Sequence, residues 1–261
     1  MLEPEVLTAI ADELAEADRT RSVIPRITAR YPEADIEDAY AIQRTWRDRQ
    51  IAAGRRLVGR KIGLTSKAMQ AATGITEPDY GVMLHDTVWS SGSTIPFDAF
   101  SNVRIEVELA FVLAKPLEGP GHTVVDVLRA TEYVIPALEV LNSHIELEGR
   151  TIVDTIADNA AYGAMVLGGN PTKPDAVDLR WVSALLYRNE TIEETGVAAG
   201  VLNHPATGVA WLADKLSQHG DRLEAGEIIL AGSFTRPMWV SRGDSVLCDY
   251  GPMGTITCRF Q

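Results

Sequence analysis

The chain has 261 residues, 46% of them hydrophobic, and carries 24 Lys plus Arg against 36 Asp plus Glu, a formal net charge of −12. That apolar share supports a sizeable core and excludes disorder as the main state. The acidic balance argues against a general phosphate-backbone binder or a polybasic membrane anchor, so nucleic acid and membrane are set aside in favour of a small ligand.

The N-terminus, Met1 to Glu5, lacks a positive segment followed by an apolar one, and no apolar run is long enough to span a bilayer. With only Cys248 and Cys258 as thiols, the expectation is a cytoplasmic protein whose cysteines are core residues.

Val6, Leu7, Ile10 and Leu14 recur at helical spacing among acids. A second helix is expected from Ile36, capped by Asp35 and stopped at Gly54. Residues 1–55 therefore read as a helical N-terminal portion, and 56–261 as one mixed β catalytic core.

Runs rich in Val, Ile and Leu follow, punctuated by Gly and Pro, and predict strands over 57–64, 82–89, 104–113, 133–141 and 164–167. A short helix is expected over 123–130 and a longer one over 205–218, the second opening on Pro205. Further strands are predicted over 183–188, 228–231, 238–240, 245–250 and 255–260. Strands greatly outnumber helices after residue 55 and do not alternate regularly with them, so the fold class is α+β rather than doubly wound α/β.

Arg104-Ile105-Glu106-Val107-Glu108 is the most unusual segment, because a strand sets Glu106 and Glu108 on the same face. Two adjacent carboxylates on an apolar strand need a proton, a cationic side chain or a metal. Glu139, inside the apolar run 134–141, poses the same problem. Three carboxylates suit Mg²⁺ or Mn²⁺ better than Zn²⁺. The alternative is cross-strand pairing with Arg104 or another cation, and spacing does not choose between them.

Lys61 lies between Gly59 and Gly63, which would leave room for a ligand beside the ammonium or mark a bulge, and a solvated strand lysine is the ordinary alternative to a catalytic one. Asp79, in Glu77-Pro78-Asp79-Tyr80-Gly81, reads as a turn residue or a general acid or base. Asn159, Ser233 and Thr235 offer small polar groups beside strands. The sequence shows no nucleophile elbow and no Ser-His-Asp or Cys-His arrangement.

Taken together, Lys61-Ile62-Gly63-Leu64-Thr65-Ser66-Lys67, the Glu77 to Gly81 segment, Glu106-Val107-Glu108, Pro136-Ala137-Leu138-Glu139, Asp158-Asn159 and Gly232-Ser233-Phe234-Thr235-Arg236-Pro237 resemble the hydratase and decarboxylase branch of the fumarylacetoacetate hydrolase superfamily. The resemblance spans nearly the whole chain. It implies a mixed β-sandwich or β-roll, with Mg²⁺ (or Mn²⁺) on Glu106, Glu108 and Glu139. Lys61 and Asp79 would be catalytic, and Asn159, Ser233 and Thr235 would line the substrate pocket. The implied reaction adds water to a 2-oxo or 2-hydroxy dienoate diacid, with hydration of the C5 monoacid 2-hydroxypenta-2,4-dienoate, decarboxylation, acylpyruvate hydrolysis and an inactive partner subunit as rivals.

The resemblance further implies a homo-oligomer, a decamer in the ring-like case, and contact with neighbouring pathway enzymes. One departure is Asn142, where related chains usually carry Asp; Ser143-His144 stands where an Arg is often found. For the far carboxylate of a diacid, Arg236 is one sequence-level partner, with a surface role as its alternative.

Overall fold

Pro4 opens the first helix, where its fixed φ and missing N–H cost nothing, and Ile10, Ala11, Leu14 and Ala17 form its buried stripe. The computed structural model describes residues 1–67, 70–71 and 75–261. Helix α1 (Pro4–Thr20) is followed by a single turn, α2 (Ile27–Arg30), and by α3 (Ile36–Ala52). Asp35 caps α3 in a reciprocal box with Asp38, and Gly54 follows at φ +91°. Cap and stop stand where the sequence reading put them.

The strands are β1 (Leu57–Gly63), β2 (Asp79–Leu84), β3 (Val88–Ser90), β4 (Ser93–Ile95), β5 (Arg104–Leu113), β6 (Thr131–Leu141), β7 (Tyr162–Leu167), β8 (Ser183–Arg188), β9 (Thr191–Val197), β10 (Ile228–Leu230), β11 (Met238–Trp239), β12 (Ser245–Asp249) and β13 (Thr255–Phe260). Between them lie α4 (Val124–Ala130), α5 (Ile152–Ala157) and α6 (Pro205–Ser217). The run expected as one strand over 82–89 splits, because a helical turn at His85–Thr87, closed by Thr87 Oγ1 donating to the Leu84 carbonyl, redirects the chain.

Two mixed sheets result. The larger runs β2-β1-β10-β5-β6-β7-β3, with β11 also on β5, and the smaller runs β4-β13-β12-β8-β9. The α+β class with a mixed β core and helical N-terminal portion is thus observed, and among the described residues neither sheet closes into a barrel.

Alternation assigns the larger sheet two unlike faces. Ile62, Val107, Leu109, Phe111, Leu138, Val140, Val166 and Ile229 join the main apolar cluster, together with inward residues of the smaller sheet and of α1, α3 and α6. The other face carries a much smaller apolar group, Met83, Ala110, Ala137, Met165 and Leu230, joined by Tyr162 across an irregularity in the β6–β7 register. Pairing of Lys61 with Gly81 and Leu230, of Gly63 with Asp79, and of Glu106 with Glu139 sets the charged candidates on that second face.

Candidate active site and metal centre

Strand β5 presents Arg104, Glu106 and Glu108 in alternate positions, and the β5–β6 register sets Glu139 directly opposite Glu106. Oxygens of the three glutamates lie within 4.8 Å of one another. Glu108 and Glu139 are fully buried. Glu108 Oε2 accepts a hydrogen bond from the Gly232 N–H at 2.8 Å. Glu108 Oε1 and both Glu139 oxygens have no hydrogen-bond partner among the described residues.

Burial, reinforced by the charge of Glu139, pushes the Glu106 carboxyl up to about 7 and raises Glu108 well above the ordinary range. Like charges sequestered with orphaned oxygens call for a cation, and an all-oxygen donor set fits a hard divalent ion. The residues present therefore fit Mg²⁺ or Mn²⁺.

Lys61 Nζ, almost fully buried, donates to the Ala160 carbonyl at 2.8 Å and lies 3.2 Å from Glu139 Oε1, an ion-pair contact without hydrogen-bond alignment. Burial alone would lower its pKa, but the charges of Glu139, Asp79 and the other glutamates outweigh this and raise it. Asp79 is likewise buried. Desolvation lifts its carboxyl above the usual range, and its Oδ1 has no hydrogen-bond partner among the described residues.

The flanking glycines do not leave space for a ligand, as the sequence reading allowed. A Cβ at Gly59 would fall 1.8 Å from the Ile228 carbonyl oxygen, and one at Gly63 would fall 2.1 Å from Asp79 Oδ1 and 3.3 Å from Lys61 Nζ. Gly59 admits the neighbouring strand, and Gly63 admits the Asp79 carboxyl to the lysine.

The carbonyl that receives Lys61 sits in an unusual segment. Asn159, Ala160 and Ala161 have φ of 49°, 53° and 58°, three consecutive non-glycine residues in the left-handed region. Both ends of the Asn159 amide are used on Val82, Oδ1 accepting from its N–H at 2.8 Å and Nδ2 donating to its carbonyl at 2.9 Å. Asn159 thus ties this segment to β2, which leaves its amide less available for a ligand than expected. It is also among the residues lining a cavity of about 250 Å³, whose walls include Val82, Leu84 and Ala164 rather than the glutamates.

Ser233 and Thr235 follow β10 in a loop laid against β5. Ser233 Oγ donates to the Thr235 carbonyl at 3.0 Å, and Thr235 Oγ1 accepts from the Val107 N–H at 3.4 Å. Arg236 takes the surface alternative: its side chain is 80% exposed and pairs with Glu194 at 2.9 Å.

Three groups at the site were not in the sequence reading: the Ala160 carbonyl, the Gly232 N–H and Arg150. Arg150 Nη1 and Arg104 Nη2 both donate to the buried Ser143 Oγ, at 2.5 Å and 3.3 Å. Arg104 also lies over the Trp239 ring, 5.3 Å from its centroid. Burial and the charge of Arg150 hold Arg104 below its ordinary pKa. The departure at Asn142 finds local work, since its Oδ1 accepts from the Ser101 N–H, while His144 Nδ1 stands 2.8 Å from Asp158.

A family model described as fumarylacetoacetate (FAA) hydrolase C-terminal matches residues 52–261. The chain is 58% identical, over its full length and that of the relative, to 2-oxo-hept-4-ene-1,7-dioate hydratase of Escherichia coli. It is 37% identical to 2-keto-4-pentenoate hydratase of Paraburkholderia xenovorans (strain LB400), with 99% of this chain and 96% of the relative covered. Among solved structures, 4-oxalocrotonate decarboxylase from Pseudomonas putida G7, complexed with magnesium and adipate, superposes with a TM-score of 0.97 at 33% identity, covering 100% of this chain and 99% of that one.

Proposed function

This chain belongs to the fumarylacetoacetate hydrolase family, and on that premise we propose that it is a hydratase converting 2-oxohept-4-ene-1,7-dioate to 4-hydroxy-2-oxoheptane-1,7-dioate. The observation that carries the reading is full-length identity of 58% to a hydratase of that name. The partner-poor cluster of Glu106, Glu108 and Glu139 beside Lys61 and Asp79 supports it.

In this reading the three glutamates hold Mg²⁺, with Mn²⁺ as the alternative. When bound, the ion supplies Lewis-acid pull on the substrate's 2-oxo oxygen. Asp79, its carboxyl lifted above the ordinary range by burial, gives and takes the protons that move the double bond from C4–C5 into conjugation with the 2-oxo group. Lys61 remains an ammonium, fixed by the Ala160 carbonyl, and orients the water whose oxygen bonds to C4 while a proton is delivered to C3. Ser233 and Thr235 border the substrate, and Asn159 acts by fixing the Ala160 segment.

The same reading takes the protein as a cytoplasmic homo-oligomer, a decamer in the ring-like case, in contact with neighbouring enzymes of aromatic catabolism. Its buried free thiols, Cys248 and Cys258, suit a reducing compartment. Leu247, Tyr187 and Ile192, aligned across β12, β8 and β9 with Leu247 and Ile192 exposed, provide apolar surface for self-association. Light scattering measures the subunit number.

The deciding experiment incubates the purified protein and Mg²⁺ with the C5, C6 and C7 members of the 2-hydroxydienoate series, following water addition and CO₂ together. The C7 diacid is hydrated best. CO₂ as the main product, the chemistry named for the structural neighbour, would replace hydratase by decarboxylase. Equal or better use of the C5 monoacid would overturn the substrate.

A further inference from the structure

Arg104 and Arg150 bring two guanidinium groups to a single hydroxyl, that of Ser143, which is fully buried. Each is only partly exposed, and neither forms an ion pair with a carboxylate among the described residues. Arg104 Nε is buried without a hydrogen-bond partner. Two cations converging on one neutral oxygen repel each other, and an anion received between them removes the penalty while using their free donors.

The location is specific. Arg104 stands two residues before Glu106 on the same face of β5, next to the Trp239 ring. Its charge acts on the glutamate cluster, and that of Arg150 reaches Asp79. Two residues of strand advance about 6.7 Å. Five carbon–carbon bonds of about 1.5 Å each, in a zigzag from C2 to C7 of the diacid, span a similar length.

We propose that Arg104 and Arg150, set by Ser143, form the subsite for the carboxylate at the far end of the substrate and so select a diacid over a monoacid. The proposal rests on the hydratase reading and adds the origin of its chain-length preference. Arg forks bind carboxylates in fixed geometry, and the adjoining indole gives the intervening carbons an apolar wall.

The test compares kcat/KM for the C7 diacid and the C5 monoacid in the wild type, Arg150→Gln and Arg104→Gln, with Arg150→Lys as the charge-keeping control. Losing a charge-assisted contact to the far carboxylate lowers the C7-to-C5 selectivity ratio roughly 10- to 100-fold, chiefly through KM for the diacid. Arg150→Lys recovers part of that ratio. An unchanged ratio in both glutamine variants overturns the proposal, whether activity on the two acids falls equally, as a role at the shared 2-oxo acid head would require, or does not fall. Arg104→Gln carries the comparison if Arg150→Gln does not fold. A wild type that hydrates neither acid would instead remove the hydratase reading itself, a result distinct from an unchanged ratio.

Discussion

The two faces of the larger sheet are made from the same strands and serve opposite ends. Along β5, Val107, Leu109 and Phe111 bury apolar surface in the main core, whereas Glu106 and Glu108 between them bring charge into a face with few apolar neighbours. Burial stabilises the first set and penalises the second. A strand with this alternation supplies folding energy through one parity and offsets with it the cost of buried charge on the other.

The sharpest way to break the contrast is at β6. Glu139→Gln, like Glu106→Gln and Glu108→Gln, lowers turnover about 1,000-fold or more, because a Lewis acid supplies several kcal/mol. Each variant also weakens divalent-ion binding while leaving the metal-free melting temperature undiminished, since an amide keeps the shape and removes a buried charge. Isothermal titration with Mg²⁺ and a thermal melt check both halves. Wild-type affinity and turnover in all three would make the cluster structural.

One residue away, Leu138→Ala creates a cavity on the other face and costs about 2–5 kcal/mol of stability. The variant, once folded, binds Mg²⁺ as before. Denaturant unfolding and metal titration separate the two effects.

Lys61→Met keeps the apolar stem and removes the charge. Turnover falls about 100-fold or more, while metal affinity is retained or raised because a cation beside Glu139 is gone. Full activity would leave Lys61 as a passive counter-charge.

The smallest expected effect sharpens the comparison from outside the sheet. Asp154, at the start of α5, accepts from Thr28 N and Oγ1 as well as Thr151 N and Oγ1. Burial opposes its ionisation, yet these hydrogen bonds outweigh burial and hold the carboxyl below its ordinary pKa. Its contribution is therefore present above the unfolded value near about 4 and disappears as pH falls through the folded value. Asp154→Asn costs about 1–3 kcal/mol at neutral pH. The gap to wild type closes on acidification below about pH 4, as urea midpoints measured from pH 7 to pH 3 will show.

Legibility in the sequence followed the same physics. The long strands were readable because β-branched runs and turn residues bound them, and the Asp35 cap and Gly54 stop act locally. Strand β9 was missed because Thr-Ile-Glu-Glu-Thr-Gly-Val is polar on both faces, and α5 because one and a half turns leave no period. The same-face pairing of Glu106 and Glu108 was legible from alternation alone. The meeting of Glu139 with Glu106 needed the β5–β6 register. Arg104 entered only as one open alternative, a cross-strand counter-charge to the glutamates, and only the fold brings Arg150 to the same hydroxyl. Arg236 illustrates the converse, a residue close in sequence to Ser233 and Thr235 whose partner is Glu194.

The left-handed run at Asn159, Ala160 and Ala161 bears on how this chain tolerates sequence change. Glycine at Ala160 or Ala161, though not at Asn159, whose amide holds Val82, would enter without the steric cost of about 1–2 kcal/mol borne by an L-residue there. It would also widen the unfolded ensemble, an entropic loss of about 0.5–1 kcal/mol that offsets much of the relief. Substitution is thus close to neutral at equilibrium, and a melting curve scarcely registers it. The Ala160 carbonyl on which Lys61 rests would nonetheless lose its rigid frame. Under the proposed role of Lys61, drift at these positions is accordingly a route by which catalysis would erode while folding remains intact.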